Sequence, residues 1–300
     1  MKYLYILLLF TIFSFAKKVN ITIVTGSSSG NYFKIGKSIE NECKDDDIEF
    51  KVKQSKGSLD NYYELISEKA SLGIIQSDVY DYLKNQLKDK SIKKIKLVYP
   101  LYDEQLHVLI KKNSNIKSLI DLKNKKVVVG TIKSGTWVTS KNIMSHLDLT
   151  WKMITEEPMK SLDKLKNDEV SAIFYVAGAP IDIINSLEED EDITLLDISK
   201  DLNGSAYNLH TILVGTYPSF LDKNITTAGI TALLVNGKNS KNIGGIYRCI
   251  KNKIKKKFTI DENNKNTADV LWNDVSLNKK VKDIDYFKYK DYFKDKKGKK

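Results

Sequence analysis

The residues best suited to hold a small ligand lie in short turns rich in glycine and hydroxyl groups. Thr25-Gly-Ser-Ser-Ser-Gly-Asn31 follows an alternating apolar run, and Thr131-Ile-Lys-Ser-Gly-Thr136 follows the apolar stretch Lys126 to Gly130. Lys56-Gly-Ser58 is a shorter version of the same arrangement. Each precedes a segment with helical spacing. The first amides of a helix have no internal partner, and the helix dipole places partial positive charge there, so such turns can ligate an anion. Serine, threonine, asparagine and glycine are also ordinary helix caps and turn formers. What points to a site is their number, because open α/β folds bind ligands at the carboxyl ends of their strands. Gln76-Ser77-Asp78 and Tyr175-Val-Ala-Gly178 occupy the same kind of position. Asp78 reads as a carboxylate favoured by a helix N-terminus. Tyr175 reads equally as a ligand contact and as an inward-facing core tyrosine.

Other chemistries find no support. Neither G-x-x-x-x-G-K-[ST] nor G-x-G-x-x-G is present, which disfavours a nucleotide fold. His107, His146 and His210 are isolated from any other residue at metal-ligand spacing, and there is no G-x-S-x-G elbow. We therefore expect no catalytic residues, no metal and no cofactor. Arg248 is the only arginine, so bidentate guanidinium recognition of an anion is available at one position at most.

The net charge of +11 and isoelectric point near 9.2 raise the question of a nucleic-acid partner. The charge is local, however. Lys279 to Lys300 holds ten Lys and four Asp, Lys251 to Lys257 holds five Lys and no acid, and the remainder is neutral. A basic edge on a neutral body reads as a solvated helix and a frayed tail, and no nucleic-acid binding is expected.

The elements that would position these turns alternate in type. Val19 to Val24 has strand periodicity, and Ile35, Ile39 and Cys43 follow at helical spacing. Strand, loop and helix then recur, which predicts an α/β fold with a mainly parallel sheet. Lys94 to Pro100 and Leu106 to Ile110 read as two extended runs separated by Leu101 to Gln105, the crossing into a second lobe. The expected division is lobe I from 17–104 with 211–300 and lobe II from 105–210. At the start, Lys2, the apolar run Tyr3 to Phe13 and Ser14-Phe15-Ala16 read as a signal peptide over 1–16, cut after Ala16, for export to the periplasm. That run of about 11 residues is too short to span a bilayer. Cys43 and Cys249 either pair there or remain as two buried thiols.

Beyond these physical readings, Thr25-Gly-Ser-Ser-Ser-Gly-Asn-Tyr-Phe-Lys-Ile-Gly36 resembles the opening of TAXI-type TRAP-transporter solute receptors. The likeness continues in order through Gly57-Ser58 with Asn61, Gly73-Ile-Ile-Gln-Ser-Asp78, and Leu101-Tyr102 with Glu104. It runs on through Ile116-Lys-Ser-Leu-Ile-Asp-Leu-Lys123, Ser134-Gly-Thr136, Phe174 to Pro180 and Gly215-Thr-Tyr-Pro218. The resemblance implies a type II periplasmic-binding-protein fold, two lobes closing on a small acidic solute, an amino acid or dicarboxylate, for a TRAP-type membrane permease. It implies a cleft lined by Ser28, Ser29, Asn31, Ser58, Gln76, Ser77, Ser134, Gly135, Thr136 and Gly178, with Tyr102, Tyr175 and Tyr207 as further contacts. Ser27, Ser29 and Lys133 depart from the family's small residues, and Lys133 is the expected counter-charge. A monomer is expected. The same fold and cleft would serve a receptor for an ABC permease or a sensor kinase.

Overall fold

The structure, a computed structural model, describes residues 19–44, 48–187, 192–238, 243–254, 272, 275 and 278–287. The expected signal segment and residues 288–300 of the basic tail lie outside the described residues.

The alternating opening run forms strand β1 (Val19–Val24), whose Ile21 and Ile23 are fully buried. Helix α1 (Asn31–Cys43) follows, with Ile35, Ile39 and Cys43 turned inward as their spacing predicts. Strand β2 (Ile48–Lys53), helix α2 (Ser58–Ile66) and strand β3 (Leu72–Gln76) continue, and helix α3 (Ser77–Asp81) opens directly from β3. β1 lies between β2 and β3, parallel to both. A Cβ at Gly36 would stand 2.8 Å from Thr25 Cγ2 and 3.1 Å from Val52 Cγ1, so α1 rests on the sheet at a separation that suits glycine. Gly36→Ala is expected to cost about 1–3 kcal/mol through overpacking. It should be read as a lower urea midpoint with an unchanged slope.

Strand β4 (Lys96–Lys111) then runs unbroken for 16 residues. The two separate runs expected here are one strand, because the polar residues that interrupt the pattern, Glu104 and Gln105, are buried with partners of their own. Beyond it come β5 (Lys126–Val128), α4 (Gly135–Leu147), β6 (Lys152–Ile154), α5 (Leu162–Lys166) and β7 (Ala172–Ala177). The chain closes through α6 (Asp182–Asn185), β8 (Ile193–Leu195), β9 (Asn208–Ile212), β10 (Ile225–Asn236) and α7 (Ile243–Cys249).

The sheet order is β2-β1-β3-β10-β4-β7-β5-β6, with β8 beside β4 and β9 beside β10. β10 is antiparallel to β3 and β4, and β4 is antiparallel to β7. The expected mainly parallel sheet is thus two parallel sets, β2-β1-β3 and β7-β5-β6, joined by an antiparallel pair of long strands. Each half carries apolar clusters of its own. Leu101 and Tyr102 of β4 pack with Ile21, Ile35 and Ala232, whereas Leu106 and Val108 pack with Phe174, Ala228 and Ile230. Both long strands therefore pass between the halves near Asp103 and Thr231, which are opposite one another. The pairing is irregular between Thr231 and Leu233. A return to the first half had been expected at Thr211. Instead Ile212, Tyr217, Phe220 and Ile225 pack with Leu109, Val128 and Ile173 of the second half, because β9 pairs with the leading end of β10.

Cys43 and Cys249 form a disulfide that ties the end of α1 to the end of α7. Part of the tail expected to fray is docked instead. Leu97 exchanges backbone hydrogen bonds of 2.8 Å with Asp285 and Phe287, and Ile284 is buried among Leu97, Tyr80 and Leu83. Among the described residues no helix is long and apolar enough to cross a membrane.

Candidate functional site between the two halves of the sheet

The polar turns of the two halves meet. A Cβ at Gly135, the first residue of α4, would lie 1.8 Å from Gln76 Oε1 at the end of β3, so the helix start presses directly onto that side chain. A Cβ at Gly57, whose φ is +113°, would stand 3.3 Å from Ser134 Cα. The Asp60 amide donates to the Lys133 carbonyl across the same seam at 3.2 Å. Gly178, just after β7, faces Tyr102 and Asn31, its added Cβ being 3.1 Å from the tyrosine ring and 3.4 Å from the asparagine Nδ2. Asn31, Ser58, Gln76, Tyr102, Ser134, Gly135 and Gly178 thus lie close together at this seam.

Several of the hydroxyls have structural work. Ser58 Oγ accepts from the Gln76 amide at 3.2 Å, and Ser134 Oγ caps α4 by accepting from the Trp137 amide at 3.1 Å. Thr136 Oγ1 accepts from the Val176 amide and Ser77 Oγ from the Thr231 amide, each at 3.1 Å. Ser28 and Ser29 are exposed, with Ser29 Oγ 3.3 Å from Ser27 Oγ. Lys133, the expected counter-charge, lies at the surface and not inside the seam. It is exposed in a left-handed conformation at φ 74°, and its ammonium lies 5.3 Å from the Tyr63 ring centroid, drawn there by the negative face of the ring.

Two acids dominate this region, and although both stand in the sequence motifs, neither was expected as a ligand contact. Glu104 is 3% exposed, accepts from the Tyr32 hydroxyl at 2.7 Å and from Gln76 Nε2 at 3.3 Å. Burial pushes its carboxyl up to about 8, against the pull of those two hydrogen bonds. A signal was present: Glu104 stands two residues from Tyr102 and from Leu106, so it shares a strand face with apolar side chains. Asp78 had been read only as a helix-terminal carboxylate. It also accepts from Thr139 Oγ1 of α4 at 2.6 Å and from the Tyr207 hydroxyl at 2.9 Å, tying the halves together. Burial raises Asp78 to about 6. Tyr175 is half-buried opposite His107 in the β4–β7 pairing, and its hydroxyl is pushed up to about 12, chiefly by burial.

No ion pair among the described residues includes Glu104 or Asp78. Three side-chain atoms here are buried without a hydrogen-bond partner: Gln76 Oε1, Asp78 Oδ1 and the Tyr102 hydroxyl. His107 takes no part in this group of residues. Its ring bonds the Gln105 carbonyl and the Tyr217 hydroxyl, and burial lowers it to about 4. Among the described residues no group of His, Cys, Asp and Glu could hold a metal ion. Two surface concavities of about 480 and 420 Å³ lie elsewhere, both on the second half around Ile116.

Two clusters of turns facing each other across a pair of crossing strands define a type II periplasmic-binding-protein fold, and solved structures share it. The arginine-, lysine-, histidine-binding protein ArtJ from Geobacillus stearothermophilus aligns at TM-score 0.50 and 14% identity, over 80% of this chain and 90% of its own. An ancestral arginine-binding protein bound to arginine aligns at TM-score 0.51 and 16% identity, over 81% and 96%. A chain from work on glutathione import via GshT and the cystine ABC importer TcyBC of Streptococcus mutans aligns at TM-score 0.50 and 13% identity, over 81% and 90%. Within this fold the chain belongs to the NMT1-like family, which matches residues 23–254.

Proposed function

We propose that this protein is an exported solute receptor that captures an amino acid or small organic acid between two lobes and hands it to a membrane permease. The lobes are the chain up to about Glu104 together with the part after about Thr231, and the stretch between. Closure about the β4–β10 crossing is the hinge motion expected of such an architecture. One observation carries the reading: a glycine, Gly135, stands where the start of one lobe's helix meets Gln76 of the other, and any side chain there would hold the lobes apart. The contacts would come from Ser28, Ser29, Asn31, Ser58, Gln76, Ser77, Tyr102, Ser134, Gly135, Thr136, Tyr175, Gly178 and Tyr207. The disulfide supports an oxidising compartment such as the periplasm.

The motifs from Thr25 to Pro218 favour a TRAP-type permease as partner. An ABC permease is supported by the similarity to the chain studied with the TcyBC importer. Gene neighbourhood separates the two. Calorimetry of the mature chain against amino acids, 2-oxo acids and dicarboxylates should reveal one binding site. Gly135→Leu should weaken binding at least about tenfold while leaving the protein folded, because lobe closure contributes the second set of contacts. Failure of the wild-type protein to bind any of these compounds below millimolar concentration would remove the capture reading.

A further inference from the structure

The solute-capture reading leaves open which chemical group enters the deepest part of the seam, and the buried acid there bears on it. The inference that follows rests on that reading. Glu104 is buried at the point where both long strands cross between the halves, opposite Ile230. Its partners are a tyrosine hydroxyl and an amide, and the groups acting on it electrostatically are the acids Asp78 and Asp103. A buried carboxylate without a counter-charge is costly unless a cation reaches it or it keeps its proton. Among the described residues no cation pairs with Glu104: Lys279 pairs with the neighbouring Asp103 instead. Lys133 lies over Tyr63, and the sole guanidinium, Arg248, sits next to the disulfide on α7.

Beside Glu104 stand two further buried atoms with unused capacity. Gln76 gives its Nε2 to Glu104 and leaves Oε1, an acceptor only, directed at Gly135 of the opposite half. The Tyr102 hydroxyl, on the same face of β4 as Glu104, has no partner. Both residues are 3% exposed, and a partnerless polar atom at such depth calls for an explanation. Once Glu104 gives up its proton, a carboxylate, an amide oxygen and a hydroxyl together form an acceptor set with negative charge. The complementary group is a primary ammonium, which carries three donors, a positive charge and no acceptor.

We propose that Glu104, the side-chain oxygen of Gln76 and the hydroxyl of Tyr102 receive the ammonium group of the solute, so that the protein selects amino acids over acids that lack an amino group. The hydroxyl and amide turns around Ser134 and Asn31 are left for the rest of the solute.

The test is isothermal calorimetry on the full mature chain with each of the twenty L-amino acids. Every one is set against the matched acid without the amino group, for example L-glutamate against glutarate and L-leucine against 4-methylpentanoate. The preferred amino acid should bind about 10- to 100-fold more tightly than its counterpart, the range expected for a charge-assisted contact. Glu104→Gln should abolish most of that preference while leaving the affinity for the counterpart within about threefold. Tyr102→Phe provides a second arm should Glu104→Gln fail to fold. Removing a hydroxyl that has no protein partner should leave the melting temperature unchanged or raised, yet weaken amino-acid binding about five- to tenfold. Equal binding of the amino acid and its counterpart, or a preference that survives Glu104→Gln, overturns this inference and leaves solute capture standing. Binding of nothing in either set by the folded protein overturns both.

Discussion

Cys43→Ala combined with Cys249→Ala is expected to lower the free energy of unfolding by roughly 5 kcal/mol, the value the chain-entropy treatment gives for a loop of this length. The two cysteines are 206 residues apart, so the bond closes most of the described chain into one loop and restricts the unfolded ensemble strongly. The bond also joins α1 to α7, neither of which pairs with the sheet by backbone hydrogen bonds, and Cys43 packs in the cluster with Ile35, Ile39 and Ile246. Domains commonly have only about 5–15 kcal/mol of stability, so the loss is a large share of the whole. Urea titrations of the oxidised wild type, the reduced wild type and the double variant measure it. The reduced wild type and the variant should agree within about 1 kcal/mol of each other. A shift below about 1 kcal/mol from the oxidised protein would show that the chain-entropy account does not hold here.

Glu104→Gln is expected to stabilise the unliganded protein at alkaline pH, an unusual outcome for removal of a buried charged residue. A carboxyl whose folded value is raised keeps its proton in the folded chain after the unfolded chain has lost it. Its contribution is complete below the unfolded value and declines as pH rises towards the folded one. For Glu104 that window runs from 4.5 to about 8, and the whole decline amounts to roughly 5 kcal/mol. Asp78 declines in the same direction, but its window closes near 6. His107 works in the opposite sense: its folded value is lowered from 6.5 to about 4, so its contribution is complete above 6.5 and is lost only as pH falls through that range. Above pH 6.5, Glu104 alone of the three is still changing. The wild type should lose roughly 2 kcal/mol between pH 6.5 and pH 8, and Glu104→Gln, which can still accept from Tyr32 and Gln76, should be flat there. Urea midpoints at pH 6.5, 7.2 and 8 provide the comparison. Parallel curves for the two proteins would mean that Glu104 is already ionised at neutral pH.

Much of the fold could be read from local pattern. The alternation in β1 and the four-residue spacing of Ile35, Ile39 and Cys43 located the first strand and helix, because each element buries one face and the period identifies it. The turns after β1, after β5 and before α2 were legible for a related reason, since glycine and hydroxyls cluster where helices begin. The sheet's joining pair was not legible. β4 contains a short polar stretch that resembles a loop, and only the tertiary partners of Glu104 and Gln105 make it a strand. The partner of β4, β10, is distant in sequence, and neither strand announces the other. Lys133 looked like a ligand because charge was counted without direction. A left-handed backbone at that residue turns its side chain onto Tyr63, which spacing alone does not reveal. Glu104 and Asp78 were missed as a pair because their importance lies in what surrounds them after folding.

The place of β10 has a consequence for the order in which the molecule can be made. Among the described strands, the one that fills the centre of the sheet is the last synthesised, and both of its neighbours, β3 and β4, are complete long before it. A nascent chain ending ahead of Ile225 therefore displays two open strand edges at the heart of what will become the sheet, an arrangement prone to pairing with other chains. Neither half of the sheet has all its strands in such a chain, because β10 pairs with both β3 and β4. Chains truncated before Ile225 should aggregate and not settle as smaller domains, and insertion of this one strand should set the pace of refolding.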